Sequence, residues 1–249
     1  MKNWKTAIQM YTIREALEQD FKGVCRDLVK LGYDGVEFVA LYGGMAPDEL
    51  AAFLKEIGLH ACGLHLSWED FASEEQPQSL EYAKALGIHY ITFSYGGDFT
   101  KVTPDVTALC VKAGETAARN GFTFTYHNHA AEFVQFEGGY ALDYIFSHTD
   151  PRRVMSELDV YWVAKGGEDP VKYIRKYAGR HPQLHLKDMD RDDGSFTELG
   201  NGSIDLAACI AAAETTKCEW LIYEQDVCRR PAFESAIISF AYLKKLLNR

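Results

Sequence analysis

The sequence predicts an α/β barrel built from eight strand–helix units, the (β/α)8 fold. Short apolar runs rich in β-branched and aromatic residues recur along the whole chain, roughly every 25 to 36 residues. Segments with helical periodicity lie between these runs. The chain has 249 residues, which is a common length for a single barrel of this kind.

Eight predicted strands carry this fold. Strict alternation of strand and helix implies a parallel sheet, and eight units favour closure into a barrel over an open sheet. An open nucleotide-binding sheet would need a G-x-G-x-x-G turn after an early strand, and 41-LYGGMA-46 lacks that spacing. The predicted strands are 6–12, 34–40, 59–67, 89–96, 122–129, 154–162, 183–188 and 219–225.

The predicted helices alternate with these strands. Several begin with proline and several stop at glycine, the usual asymmetry of helix ends. No linker or low-complexity tract interrupts the pattern, so we predict one domain over residues 1–249. The predicted helices are 15–32, 47–58, 77–87, 104–121, 140–148, 169–179, 203–216 and 231–247, with Ser203 as the candidate N-cap of the seventh.

The composition narrows the class of protein. Apolar residues make up 47% and charged residues 25% of the chain, as in ordinary globular proteins. The formal net charge of −10 disfavours binding to nucleic acid backbones or anionic membranes. We predict a cytoplasmic protein, because no signal peptide or spanning segment is evident. Six scattered cysteines without a C-x-x-C pair suggest neither a zinc cluster nor a redox motif.

Polar residues collect where the predicted strands end, which in this fold is the functional face. The run 122-FTFTYHNHAAEFVQF-136 ends in His127 and His129, which share one face if the strand continues that far. The four residues that suit a shared metal ion come from consecutive strands 5 to 8: His127, Asp159, His185 and Glu224. Such mixed nitrogen and oxygen donors suit Mn²⁺, Mg²⁺, Co²⁺ or Zn²⁺. Each residue alone is a weak signal, but the set predicts a metal site.

Aromatic residues near the strand ends could line a pocket, although such residues more often cap the barrel. They are Trp68, Phe71, Tyr95, Phe133, Trp162 and Phe196. No phosphate-binding loop is evident, since the 200-GNGS-203 turn has only the glycines that a loop needs.

The motifs YHNH-x-x-EF, LDVYW, HLKD and YEQD, in this order on strands 5 to 8, resemble the sugar isomerase/epimerase superfamily with the xylose isomerase-like barrel. Ketose 3-epimerases, inosose dehydratase and endonuclease IV belong to it. In the epimerases, Glu, Asp, His and Glu hold a divalent metal, usually Mn²⁺. The resemblance places the last three on Asp159, His185 and Glu224. The first glutamate falls on His127, which is a departure.

This resemblance implies roles for further residues. Glu224 would be both metal ligand and base, and a metal-bound His127 would lack a lone pair for proton transfer. His129 or Glu132 would then serve as the second acid or base. The candidate catalytic residues are Glu224, His129 and His127, and the candidate substrate contacts are His65, Glu132, Trp162, Lys187, Arg191 and Glu37.

We therefore predict a metal-dependent sugar or cyclitol isomerase/epimerase that works through an enediolate, with Mn²⁺ as the first choice of metal. The alternative is a metal-dependent lyase, similar to inosose dehydratase or to enzymes that eliminate the aglycone from 3-oxo-glycosides. An endonuclease IV-type nuclease would need a basic surface, which the net charge disfavours. A sugar-binding protein without catalysis also fits the missing strand 5 glutamate. Dimers and tetramers are common in the superfamily.

Overall fold

The computed structural model describes residues 2–67, 70 and 78–248. Within these residues, eight parallel strands close into a barrel in chain order, because the first strand pairs with both the second and the last. This confirms the predicted (β/α)8 fold. The strands are β1 (Lys5–Gln9), β2 (Gly35–Val39), β3 (His60–His65), β4 (Tyr90–Phe93), β5 (Thr123–His127), β6 (Val154–Asp159), β7 (Gln183–Leu186) and β8 (Trp220–Tyr223).

Helices follow the strands around the barrel. They are α1 (Arg14–Leu31), α2 (Pro47–Ile57), α3 (Gln78–Ala85), α4 (Phe99–Arg119), α5 (Ala141–Ser147), α6 (Val160–Lys165), α7 (Pro170–Lys176), α8 (Leu206–Ala213) and α9 (Ala232–Leu246). Two short antiparallel pairs extend the loops after β5 and β7: Gln135–Phe136 with Gly139–Tyr140, and Asp188–Met189 with Phe196–Thr197. Among the described helices, none is both long and apolar enough to cross a bilayer.

Three helices begin where the sequence did not predict. Helix α6 starts at Val160, inside the predicted strand 154–162, because the Asp159 side chain caps it by accepting a hydrogen bond from the Trp162 amide (2.9 Å). Helix α4 starts at Phe99 instead of residue 104, because the Asp98 side chain caps it by accepting a hydrogen bond from the Thr100 amide (3.2 Å) and Phe99 is buried. Helix α8 is capped by Asp205, which accepts from the Ala208 amide (2.9 Å). The Ser203 hydroxyl donates to the Met189 carbonyl instead, so the prediction of Ser203 as N-cap was wrong.

The barrel interior changes from apolar to polar along its axis. Toward the amino-terminal ends of the strands, five buried residues form an apolar cluster of their own: Ala7, Cys62, Tyr90, Trp220 and Ile222. Above it lies a layer of polar side chains that hydrogen-bond across the barrel. Glu37 accepts bonds from the side-chain amides of Gln9 (2.8 Å) and Gln183 (3.0 Å). The polar layer is therefore the floor beneath the carboxyl ends of the strands.

Gly63 on β3 makes room for this polar layer. A Cβ atom at this position would lie 2.5 Å from Glu37 Oε1 and 2.7 Å from Gln183 Nε2. Real Cβ atoms do not approach other atoms this closely, so a side chain here would push the buried carboxylate away from its partners. We infer that glycine at position 63 is required by packing, not by backbone conformation.

We expect Gly63→Ala to destabilise the protein by about 1–3 kcal/mol, the usual cost of overpacking a filled core. Urea unfolding monitored by circular dichroism measures this difference. Gly179→Ala is the matched control, because no atom lies within 4 Å of its Cβ position. Equal stability of the two variants would contradict the packing argument.

Candidate active site

The carboxyl ends of β5 to β8 bring His127, Asp159, His185 and Glu224 together. One ligand atom from each residue lies within 4.8 Å of the others, and all four side chains are buried. His127 and Asp159 end their strands, and Asp159 is paired in register with His185. Glu224 follows β8 directly, where its amide donates to the Leu186 carbonyl (3.2 Å). Neighbouring strands thus place the four donors side by side.

His129 reaches the same region by a different route from the one predicted. Strand β5 ends at His127, so the alternation of strand residues does not extend to position 129. The chain turns instead, and the His129 amide donates to Glu132 Oε2 (3.0 Å). The His127 and His129 rings still meet edge to face, with centroids 5.1 Å apart.

One oxygen of Asp159 is suited to a cation. Asp159 Oδ1 caps helix α6 by accepting from the Trp162 amide (2.9 Å). Asp159 Oδ2 is buried and accepts no hydrogen bond from the described residues. Burial raises the pKa of this carboxyl to about 6 in spite of the nearby Lys187 ammonium. The Lys187 ammonium lies 3.2 Å from Oδ2 as an ion-pair partner without hydrogen-bond geometry. A buried carboxylate oxygen with incomplete hydrogen bonding is costly, and a bound cation would lower that cost. The donor set therefore fits a divalent ion.

Lys187 is the fixed positive charge of this site. Its ammonium lies 3.2 Å from Asp159 Oδ2, 2.8 Å from Glu224 Oε2 and 2.8 Å from Asp226 Oδ1. Burial alone would lower its pKa, but the three carboxylates raise it above the ordinary value. Lys187 was predicted as a substrate contact, and the structure places it between two of the four candidate metal ligands.

A second cluster lies directly below, in the polar layer, and contains Glu37, His65 and Glu157. Glu37 was predicted as a substrate contact, and it is fully buried. Its Oε2 atom lies 2.7 Å from His185 Nε2 and 3.3 Å from His65 Nε2. Glu157 was not among the predicted site residues. Its position two residues before Asp159 on the same strand, and hence on the same face, was the signal that could have identified it.

The environment of each histidine sets its charge. For His65 and His185, burial lowers the pKa but Glu157 and Glu37 more than offset it, so that the pKa of His65 rises to about 10 and that of His185 lies well above its ordinary value. Burial holds the pKa of His127 well below its ordinary value. Burial, with help from Lys187, lowers the pKa of His129 to about 4. His127 and His129 are therefore neutral near pH 7 and each has a nitrogen lone pair.

Glu132 supports the loop after β5. Its carboxyl accepts hydrogen bonds from the Tyr126 hydroxyl (2.8 Å) and from the His129 amide, and it is fully buried. Burial raises its pKa to about 7. These contacts hold Glu132 within the loop, and its role as a substrate contact or second base stays a prediction.

The remaining candidates lie around the mouth. Trp162 is half-buried. Its ring packs edge to face against the His129 ring, with centroids 5.3 Å apart, and against the Phe196 ring, with centroids 5.6 Å apart. Arg191 is exposed on the turn after β7, and the structure does not bring it into the cluster. Phe133 was predicted as a residue that could line a pocket, and its ring is buried against Tyr173. Trp68 and Phe71 lie outside the described residues.

Comparison with known proteins identifies the family of this chain. The sequence model of the xylose isomerase-like TIM barrel matches residues 25–246. An inosose dehydratase from Clostridium beijerinckii is 29% identical over 154 residues, which is 54% of this chain and 51% of that protein. The chain thus spans about half the length of the curated relatives it matches.

Two solved structures show the same fold. A sugar phosphate isomerase/epimerase from Parabacteroides distasonis has a TM-score of 0.81 at 24% identity, covering 98% of this chain and 94% of that one. An IOLI protein with a bound zinc atom has a TM-score of 0.76 at 14% identity, covering 98% of each chain.

The raised pKa of Glu132 predicts a pH-dependent stability. Because the folded protein disfavours the ionised form, the free energy of unfolding should fall as pH rises from about 4.5 to about 7, by up to about 3 kcal/mol. Glu132→Gln has no charge to form, so its stability relative to wild type should increase over this window and stay level above it. Urea unfolding between pH 5 and 8 measures the trend, with the exposed Glu56→Gln as control. A pH-independent difference would contradict it.

Proposed function

Because the chain belongs to the xylose isomerase-like TIM barrel family, we propose that it is a divalent-metal-dependent isomerase or epimerase of a keto-sugar or keto-cyclitol. One observation carries this proposal. Four donors of the right chemistry, His127, Asp159, His185 and Glu224, converge within 4.8 Å at the carboxyl ends of the strands. In a barrel of this class, that end is where catalytic residues lie.

The donor set of two imidazoles and two carboxylates is compatible with Mn²⁺, Mg²⁺, Co²⁺ or Zn²⁺. The resemblance to the ketose 3-epimerases makes Mn²⁺ the first choice. The zinc atom in the IOLI protein supports a divalent ion in this fold. When bound, such an ion withdraws electron density from a substrate carbonyl and stabilises the negative charge that develops on its oxygen.

Glu224 is the proposed base. Burial alone would raise the pKa of Glu224, but Lys187 and His185 lower it by more than burial raises it. The pKa is therefore well below its ordinary value, and the carboxyl is ionised near neutral pH. It can therefore accept the proton from the carbon next to the substrate ketone, which leaves an enediolate. Returning that proton to the former carbonyl carbon, while the hydroxyl proton of the enediolate passes to the other oxygen, would complete an isomerisation.

His129 is the proposed second proton carrier. Epimerisation needs a group on the opposite face of the substrate carbon, and His129 is neutral with a free lone pair. His127 is less suited, because its Nδ1 lies 3.2 Å from Glu157 and its Nε2 is directed toward Asp159. We assign His127 to the metal and His129 to proton transfer.

The charges around the mouth favour an uncharged substrate. Lys187 is bound to carboxylates, Arg229 pairs with Asp190 and Asp193, and Arg230 pairs with Glu198. These three cations are already neutralised, so attraction for a phosphate group at the described part of the mouth would depend on the exposed Arg191. The rings of Trp162 and Phe196 could pack against the C–H face of a sugar.

A second candidate function is elimination from the same enediolate. The curated relatives named inosose dehydratase favour it. The histidine at position 127 favours it as well, because the resemblance places the first glutamate of the epimerase ligand set there. Glu224 would again remove the proton next to the ketone. The electron pair would then expel the hydroxyl on the β-carbon, which leaves as water after taking up a proton.

The metal site can be tested without a substrate. We expect wild type to bind a divalent ion after reloading, and Asp159→Asn to bind it at least tenfold more weakly, because the amide keeps the helix cap but removes the charged ligand. Calorimetric titration and elemental analysis measure this. Asp169→Asn is the matched control, since Asp169 caps α7 in the same way outside the site. A reloaded wild type without metal would exclude the proposed centre.

The reaction can be read from substrate protons in D2O. With metal-loaded protein and a panel of ketoses, inososes and 3-oxo-glucosides, we expect deuterium at the carbon next to the ketone and an isomeric product. Glu224→Gln should slow this exchange by at least about 10²-fold. His129→Gln should abolish epimerisation but spare isomerisation. A product lighter by water or by the aglycone would assign the protein to the lyases, and undiminished exchange in Glu224→Gln would exclude Glu224 as the base.

A further inference from the structure

Glu157 is the residue of the polar layer that contacts the candidate metal ligands above it. It lies on β6, paired in register with His127 on β5 and with Gln183 on β7, and it is fully buried. Three imidazole nitrogens surround its Oε1 atom: His65 Nε2 at 2.7 Å, His185 Nε2 at 3.1 Å and His127 Nδ1 at 3.2 Å. Its other oxygen accepts from the Thr92 hydroxyl (3.1 Å). One carboxylate thus contacts both candidate imidazole ligands.

This contact decides which nitrogen of His127 has the lone pair. A neutral imidazole has one N–H group and one lone pair, and the nitrogen that donates a hydrogen bond leaves the lone pair on the other. His127 Nδ1 faces the Glu157 carboxylate, which can only accept a hydrogen bond, so the ring proton is on Nδ1. Its lone pair is then on Nε2, which faces Asp159 Oδ2 at 3.8 Å. A metal ligand needs this orientation.

His185 shows the opposite arrangement. Its Nε2 faces down, toward Glu37 Oε2 (2.7 Å) and Glu157, and its Nδ1 faces Glu224 Oε2 (2.9 Å). Both histidines direct an N–H group toward the buried carboxylates, from Nδ1 in His127 and from Nε2 in His185. The raised pKa of His185 means that its Nδ1 is also protonated near pH 7, so a metal at Nδ1 would displace that proton. His185 has two such carboxylates, whereas Glu157 is the one that the described contacts provide below His127.

We propose that Glu157 is a positioning residue that fixes which nitrogen of His127 and of His185 keeps its proton, and so directs the other nitrogen of each ring toward Asp159 and Glu224. This inference rests on the metal site of the proposed function and adds a determinant of its affinity. In metal sites, a carboxylate behind a histidine ligand fixes the ring and increases its basicity, and its loss typically weakens metal binding 10- to 100-fold. His127 should be more sensitive than His185, because Glu37 continues to hold His185.

The test combines zinc affinity with a direct measurement of the tautomers. Wild type, Glu157→Gln and Glu157→Leu are titrated with Zn²⁺ in competition with a chromophoric chelator. Long-range ¹H–¹⁵N NMR of histidine-labelled protein then reports which ring nitrogen is protonated, with and without zinc. We expect wild-type His127 to be protonated on Nδ1, and both variants to bind Zn²⁺ at least tenfold more weakly. Glu157→Gln keeps the shape of the side chain if Glu157→Leu fails to fold.

Glu198→Gln is the matched control, because Glu198 is also a buried carboxylate but contacts Ser235, Asn201 and Arg230 instead of the histidines. It should bind Zn²⁺ like wild type. Zinc affinities within threefold of wild type for both Glu157 variants, or His127 protonated on Nε2 in wild type, would overturn the role of Glu157 alone. A wild type that binds neither Zn²⁺ nor Mn²⁺ would overturn the proposed function as well, so the two failures are distinguishable.

Discussion

The burial of two carboxylates, Glu37 and Glu157, inside a closed barrel is the constraint on which the rest of the site depends. An unpaired carboxylate in such a place would cost several kcal/mol. Here imidazole and amide groups from β1, β3, β5 and β7 neutralise and hydrogen-bond the pair. Gly63 leaves the space that Glu37 needs. The partners come from four different strands, so closure of the barrel and formation of the polar layer require one another.

His185 transmits this arrangement to the layer above. Its ring spans the two layers, with Nε2 against the buried carboxylates and Nδ1 against Glu224. Because the ring is rigid and held at both ends, the candidate ligand cannot rotate freely. The donors of β5 to β8 are thus preorganised by contacts below them, which is how a site on strands gains accuracy over one on loops.

The same barrel supports isomerases, epimerases and dehydratases, so the fold alone does not decide the reaction. Under the proposed function, the donors on the strands would supply a cation site and a base beside it. The proposed second proton carrier, His129, lies on the loop after β5, and the buried Glu132 and Tyr126 hold that loop in place. If this assignment is right, the choice of reaction depends most on a few residues beyond the strand.

Local sequence patterns by themselves determined the alternation of strands and helices, and hence the barrel, because periodicity and helix-end residues act over a few neighbouring positions. They also indicated which strand ends have candidate metal ligands. The tertiary structure decided the start of α4, the turn that brings His129 back beside His127, the depth of Glu37 and the central place of Glu157. These features depend on contacts between distant segments, such as the bond from Gln183 to Glu37 across 146 residues. Only closure of the barrel brings such partners together, and no local pattern records it.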